Sequence, residues 1–392
     1  MKYPITPEYL EALPDNLVRL YTDLEAYVLR DICRRFKDAD GATNTAIEQI
    51  KLLKRRGYDG AEIDKYIKKT LKKSEAEMQA AWDDAVERNQ RYYTDLLTKS
   101  GLLEETFDAA LVADEIEAIR KQTHDEFVKL TQSMGFAVRG PDGVIEFSPI
   151  AKTYQKILDN AEMQVWSGAT SYTEAIRNAT KQLTDSGLQV VDYASGWHNR
   201  VDVAARRAIM TGASQISAKY SERIGEELKT DLYEVTAHIG ARDVDHPNPW
   251  SNHKKWQGKV YSKRTGDKYP SIYEVCGLGE VDGLNGANCR HLYHPFFEGL
   301  SRRTYTDKEL ASIDSPPFTY QGREYTAYEA TQKQRQIERA IRKGKREVIA
   351  AEARGDEQAA TDSTIRTKRL VSMYKDFSKA AGLKTQFDRT AT

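Results

Sequence analysis

The sequence predicts a mainly α protein in three parts: an elongated N-terminal helical region, a small loop-rich α+β module rich in His and Cys, and C-terminal basic helices. Three observations carry this reading. Apolar residues make up 40% and charged residues 30% of the chain, a balance that suits long amphipathic helices with solvated outer faces. Through most of the N-terminal half, apolar side chains recur at helical spacing. Between Tyr233 and Gly299 the pattern changes: five of seven His, two of three Cys and two of five Trp fall there, among Gly, Pro and Asn.

Taken in order, Leu17, Leu20, Leu24, Val28 and Ile32 give one buried stripe on a helix from Asp15 to Phe36. A second helix fits Thr45 to Arg56 and stops at Gly57. Asp59-Gly-Ala-Glu62 and Ser74-Glu-Ala-Glu77 have the form of capping boxes, which divides Tyr58 to Leu97 into two helices. Phe107, Leu111, Ile119, Phe127, Leu130 and Met134 mark another long helix, ended by Gly135. Arg139-Gly-Pro-Asp-Gly143 is a turn by composition and predicts a short hairpin. Ser148-Pro149 reads as a helix start, with Ser as cap and Pro where its missing N–H costs nothing. Ser171 to Glu174 opens the next helix and Gly187 closes it. Leu188 to Tyr193 is a candidate strand, and Arg200 to Lys229 a long helix.

Within the module, Leu232 to Ala237 and Lys259 to Tyr261 are candidate strands, and Ser271 to Val275 a short helix. Tyr305 to Tyr325, with Pro316-Pro317, reads as linker. Gln332 to Ala353 is a basic helix, and Thr364 to Ala381 a further one. The domain boundaries expected are residues 1–140, 141–231, 232–300, 301–330 and 331–392. No internal repeat stands out at solenoid periods.

Lys plus Arg equals Asp plus Glu at 59 each, so no global field draws the chain to nucleic acid or to an anionic membrane. The three cysteines, Cys33, Cys276 and Cys289, are too few and too scattered for a disulfide framework, which points to reducing, cytoplasm-like surroundings. The sequence holds no apolar run long enough for a membrane span and no signal-peptide segment at its start.

The module could support specific chemistry. Cys289 and His291 sit two residues apart, and His238, His246, His253 or His294 could complete a mixed zinc set, with His238, His253, Cys289 and His291 the preferred four. The spacing is not one of the strong zinc signatures, and the alternative is a small hydrogen-bonded polar core. Cys289 as a nucleophile would need a depressed pKa, for which Arg290 alone is weak support. A metal-dependent hydrolase or nuclease lacks paired acidic residues at helical spacing. Trp250, Trp256 and the nearby tyrosines read as core, and the scattered glycines as turns. Further along, Lys333, Arg335, Arg339, Arg342, Lys343, Lys345 and Arg346 outnumber the single acid between them, Glu338, which makes this helix the candidate for phosphate contact.

These residues together resemble a known family. Arg207-Ala-Ile-Met-Thr-Gly212, Thr236-Ala-His238-Ile-Gly240-Ala-Arg242, Trp256-Gln257-Gly258, Tyr269-Pro270-Ser271 and Gly283-Leu284-Asn-Gly286-Ala-Asn288-Cys289-Arg290-His291 are similar to the second group of phage minor capsid proteins. That group is found in tailed phages and prophages of Firmicutes and is related in role to phage Mu F-type head proteins. The stretch Tyr328 to Lys343 and the N-terminal helices follow the same pattern. Asp243 to Asn252 departs from it as an insert, and distance from Trp256 makes His253 the match to the family histidine.

The resemblance implies a virion component of the phage head, present in few copies, portal-associated and made in the host cytoplasm. It would act in head assembly, DNA packaging or delivery. Its partners would be portal and major capsid proteins, with packaged double-stranded DNA met through the basic helix and no membrane involved. Gly240, Arg242, Trp256, Gly258, Gly286, Asn288 and Arg290 would be motif residues of structural role. No catalytic activity is implied, and a structural zinc is the candidate cofactor.

Overall fold

A computed structural model describes residues 3–37, 45–56, 60–100, 110–140, 143–192, 197–264 and 268–391. The chain is mainly helical, with small antiparallel sheets. The N-terminal region runs α1 (Pro7–Ala12), α2 (Asp15–Lys37), α3 (Ala46–Arg56), α4 (Ala61–Ser100) and α5 (Ala110–Thr131). A four-stranded sheet follows, built from β1 (Met134–Arg139), β2 (Ile145–Pro149), β3 (Gln189–Asp192) and β4 (Trp197–Arg200) in the order β2-β1-β3-β4. Between its strands lie α6 (Ile150–Trp166) and α7 (Tyr172–Ser186), and after it comes α8 (Val201–Glu227).

The predicted stripe of α2 lies in the main core: Leu17, Leu24, Val28 and Ile32 are fully buried, and Leu20 is half-buried against them. Helix α8 lies deepest. It packs against α2, α4 and α5 and buries residues on more than one face, from Val201 through Ile209 and Ile216 to Ile224. Small residues make this possible: a Cβ at Gly212 would come 2.5 Å from the indole nitrogen of Trp82 on α4. The capping arguments hold for α7, where Ser171 accepts from the Glu174 N–H at 3.2 Å and Gly187 closes the helix at φ 63°.

The module then forms a three-stranded antiparallel sheet, β6-β5-β7, from β5 (Leu232–Val235), β6 (Val260–Ser262) and β7 (Tyr293–Pro295). Two short helices, α9 (His253–Trp256) and α10 (Ile272–Cys276), sit in the connections. Its core joins Tyr233, Val235, Trp256, Tyr261, Ile272 and Leu284, and β7 lies against α8.

Residues 301–330, expected as linker, carry α11 (Asp307–Ala311) and a hairpin of β8 (Phe318–Tyr320) and β9 (Arg323–Tyr325). Gln321 and Gly322, at φ 49° and 78°, supply the two positive dihedrals of its tight turn. The chain ends in α12 (Ala327–Arg354) and α13 (Glu357–Ala380), packed on each other, with α12 also lying along α2 and α7. Among the described residues no helix is long and apolar enough to cross a membrane.

Three local expectations are corrected. Ser74 does not divide α4, because its hydroxyl donates to the Leu71 carbonyl at 2.7 Å and accepts from Tyr21 at 3.1 Å within one continuous helix. Asp59, the other expected cap, and Gly57 lie outside the described residues, as does Phe107. Met134 and Gly135 belong to strand β1 and do not end a helix: α5 stops at Thr131, and Gly135 lies directly opposite Pro149 of β2. Ser148 is in β2 and caps nothing; Thr153 instead ties the entry to α6 by donating to the Ser148 carbonyl at 2.7 Å.

A buried His/Cys cluster and an adjoining arginine-lined cavity

The loops of the module are shaped by side-chain caps and positive-φ residues. Asn252 accepts from the Lys255 N–H at 3.3 Å, which starts α9 and sets His253 on its first position. Gly277 ends α10 at φ 62°, and Asn285 and Asn288, at 62° and 59°, turn the loop so that Cys289 enters the interior just before β7. His253, Cys289 and His291 are thereby brought together, and their relative exposures of 3%, 5% and 1% remove all three from solvent.

Their candidate ligand atoms lie within 4.8 Å of one another. The Cys289 sulfur is 3.6 Å from His291 Nδ1 and 3.9 Å from His253 Nδ1. The far side of each ring is held by an oxygen that can only accept: His253 Nε2 is 2.9 Å from the Asp282 carbonyl and His291 Nε2 is 3.1 Å from Gln257 Oε1. Gln257 is fixed in that role because the same oxygen accepts the His238 N–H at 3.0 Å. Each Nε2 therefore carries its hydrogen, and both Nδ1 lone pairs face one sulfur. That is the arrangement by which outer partners orient metal-ligating imidazoles.

Burial fixes the charge state. It lowers His253 to about 4 and His291 well below its ordinary value, and it raises the Cys289 thiol. The imidazoles are neutral and the thiol is protonated near neutral pH, so Cys289 is not a ready nucleophile. Replacing the thiol proton by a soft or borderline cation would give a His₂Cys set suited to zinc.

Of the four expected ligands, His238 stands apart. Its ring stacks on His291 with centroids 4.3 Å apart, and its Nδ1 lies 3.0 Å from the Ile239 carbonyl and 3.2 Å from Arg290. A stacked ring cannot aim its nitrogen at the ion its neighbour would bind. His246 is exposed and accepts from the Asn248 N–H at 3.1 Å, while His294 lies against Tyr93 and Tyr3, away from the cluster.

The motif residues make the following contacts. Gly240 donates its N–H to Asp314 at 2.8 Å, and Arg242 reaches the Asp282 carbonyl at 3.2 Å. Trp256 sets its ring edge against His291 and donates to the Trp250 carbonyl at 2.8 Å. Gly258 has a φ of 70° against Leu310, a Cβ on Gly286 would come 2.5 Å from the Val281 carbonyl oxygen, and Arg290 pairs with Glu11 at 2.7 Å.

The basic helix is tied inward. Arg335 pairs with Glu11, Arg342 with Asp202, Lys343 with Asp185 and Arg346 with Glu25, and Lys345 donates to the Thr390 carbonyl at 2.5 Å. Among the described residues Lys333 reaches its helical neighbour Gln336 at 3.0 Å, and Arg339 is exposed. Two acids organise these contacts, and neither stood out in the sequence. Glu25, 1% exposed, accepts from the Leu188 N–H at 2.6 Å and pairs with Arg200 and Arg346. Glu11 gathers Arg290, Arg335 and Arg389. Burial alone would raise its carboxyl, but the three guanidiniums outweigh it and hold it at about 2.

Beside His238 and His253 opens a cavity of about 300 Å³, with Arg206, Arg242, Arg290 and Arg335 among its lining residues. Neither Asp nor Glu is among its lining residues.

Comparison with known proteins places this architecture. No solved structure matches the chain. A structural protein of Lactococcus phage LL-H is 27% identical over 261 residues, which span 62% of this chain and 63% of the relative. A structural protein of Lactococcus phage mv4 is 31% identical over 129 residues, 32% of this chain and 94% of the relative. The profile of the family described as phage minor capsid protein 2 matches residues 5–379, from α1 through α13, and the chain therefore belongs to that family of phage structural proteins.

Proposed function

We propose that the chain is a minor component of the phage head, seated at the portal vertex against portal and major capsid proteins, where it assists head assembly and DNA packaging or delivery. The observation that carries this is the family match over residues 5–379, from the first helix to the last long one. Assembly would take place in the host cytoplasm. The physical chemistry of the module supports an architectural part over a reaction centre: its thiol is protonated, its imidazoles neutral, and all three candidate ligands buried. A hydrolase centred on the same residues would need substrate to reach the fourth coordination position that a His₂Cys set leaves, and all three ligands are buried.

In this reading His253, Cys289 and His291 take one zinc-class ion as a fastener for a module too small to bury much surface of its own. Contact with packaged DNA through α12 would rest first on Lys333 and Arg339, because the other five cations already contact groups of the fold, Lys343 in a half-exposed pair with Asp185 and Arg335 at the cavity wall.

Affinity capture of the tagged chain from induced cells tests the proposal. Portal protein should be recovered with it from isolated proheads. Proheads that assemble and package normally in a deletion strain, and portal absent from the capture, would reject the role.

A further inference from the structure

We infer that the cavity between α8, the module and α12 is a binding site for a phosphate-type oxyanion. The argument begins with a charge imbalance. Among the described residues four arginines line the cavity, Arg206, Arg242, Arg290 and Arg335, and neither Asp nor Glu does.

The acids behind them are Glu11 and Asp15, with Glu338 near Arg335 and Asp388 near Asp15. Glu11 is shared by Arg290 at 2.7 Å, Arg335 at 3.0 Å and Arg389 at 2.6 Å. Arg206 reaches Asp15 only at 3.8 Å and otherwise donates to the Glu11 backbone carbonyl at 2.8 Å. Arg242 is held by a neutral group, the Asp282 carbonyl, at 3.2 Å. Four guanidiniums, from Arg206, Arg290, Arg335 and Arg389, thus share the carboxylates of Glu11 and Asp15, while Arg242 is held by a carbonyl.

Arg206 registers the deficit. Burial first, then the Arg389 and Arg335 charges, push its pKa down to about 9. Cations that share a carboxylate in a partly desolvated wall are costly, and an anion in the cavity lowers that cost.

The shape of the donors selects the anion. Guanidinium forks offer parallel N–H pairs that match phosphate oxygens, and several forks around one point suit a multiply charged tetrahedral group better than a single carboxylate. The volume, about 300 Å³, lies at the small end of ligand sites and holds a phosphate with its waters. Free phosphate and a phosphate at the end of a nucleic-acid strand share this chemistry.

Calorimetric titration of the full chain with inorganic phosphate, at neutral pH and constant ionic strength, tests the inference. Saturable binding is expected, weakened about tenfold or more by Arg335→Gln and by Arg242→Gln, each the loss of one charge-assisted contact. Two variants on different elements are used so that misfolding of one, seen in its melting curve, leaves the other informative. In a parallel arm, a short DNA duplex with a 5′-phosphate is compared with the same duplex without it. Preference for the phosphorylated duplex assigns a strand end as the source, and no preference assigns free phosphate. Absence of saturable phosphate binding by the folded wild-type chain overturns the site, as does undiminished affinity in both variants. Acetate binding as tightly as phosphate overturns it in favour of a partner's carboxylate.

Discussion

At Cys289 two imidazole lone pairs face one sulfur, and the opposite nitrogens of both rings are anchored by carbonyl oxygens. If this is a zinc-class site, purified protein should carry one such ion per chain by elemental analysis. His253→Ala or Cys289→Ala should release it, whereas His238→Ala should retain it. Equal loss from all three variants would contradict the geometry. The distinction was not readable beforehand, since the sequence showed that these side chains cluster but not that the His238 ring stacks on His291. Gln257, which orients two of the histidines, lay in a motif already noted, but its amide gave no sign of that role.

Acid stability follows from two other residues. Glu11 titrates near 2 in the folded chain against an ordinary 4.5, and burial moves His294 to about 3 from 6.5. In both cases the unfolded chain takes up its proton first as pH falls, so folding stability is complete above about pH 6.5 and declines below it. The Glu11 share, about 3 kcal/mol, is lost between roughly pH 4.5 and 2. Urea unfolding across this range should show the decline, with a shallower lower limb in Glu11→Gln. A profile flat from neutrality to pH 3 would be inconsistent with both shifts.

Among the elements, those that rest on one local signal were legible where the signal had no competitor. Ser171 and Gly187 bounded α7 as expected. Ser74 had the same appearance, but its hydroxyl is used inside α4 and by Tyr21. Proline at the exposed Glu75 separates the readings: after a cap it would occupy a first helical position and be tolerated, whereas inside α4 it should cost about 3 kcal/mol by chemical denaturation.

The basic helix shows the opposite limit. Its cationic run was evident, but the acids that hold it lie far away in sequence, Glu25 on α2 and Asp202 on α8. Arg346→Ala, which removes one of the two arginines paired with buried Glu25 and leaves the Thr184 carbonyl without its donor, should destabilise by about 1–3 kcal/mol. Arg339→Ala, on the exposed face, should change stability by no more than about 0.5 kcal/mol. Similar losses in both would mean that α12 is not fastened by this network.

Over the whole molecule, positive and negative residues are equal in number. The N-terminal helices, the module and the C-terminal pair meet around Glu11 and Glu25, which bind the ends of the chain to its middle. Such a body suits a part that docks by its surface. Quantitative mass spectrometry of washed, nuclease-treated particles and of proheads tests this most directly. The account predicts the chain in both at a fixed, low number of copies per particle, and its absence from both would contradict it.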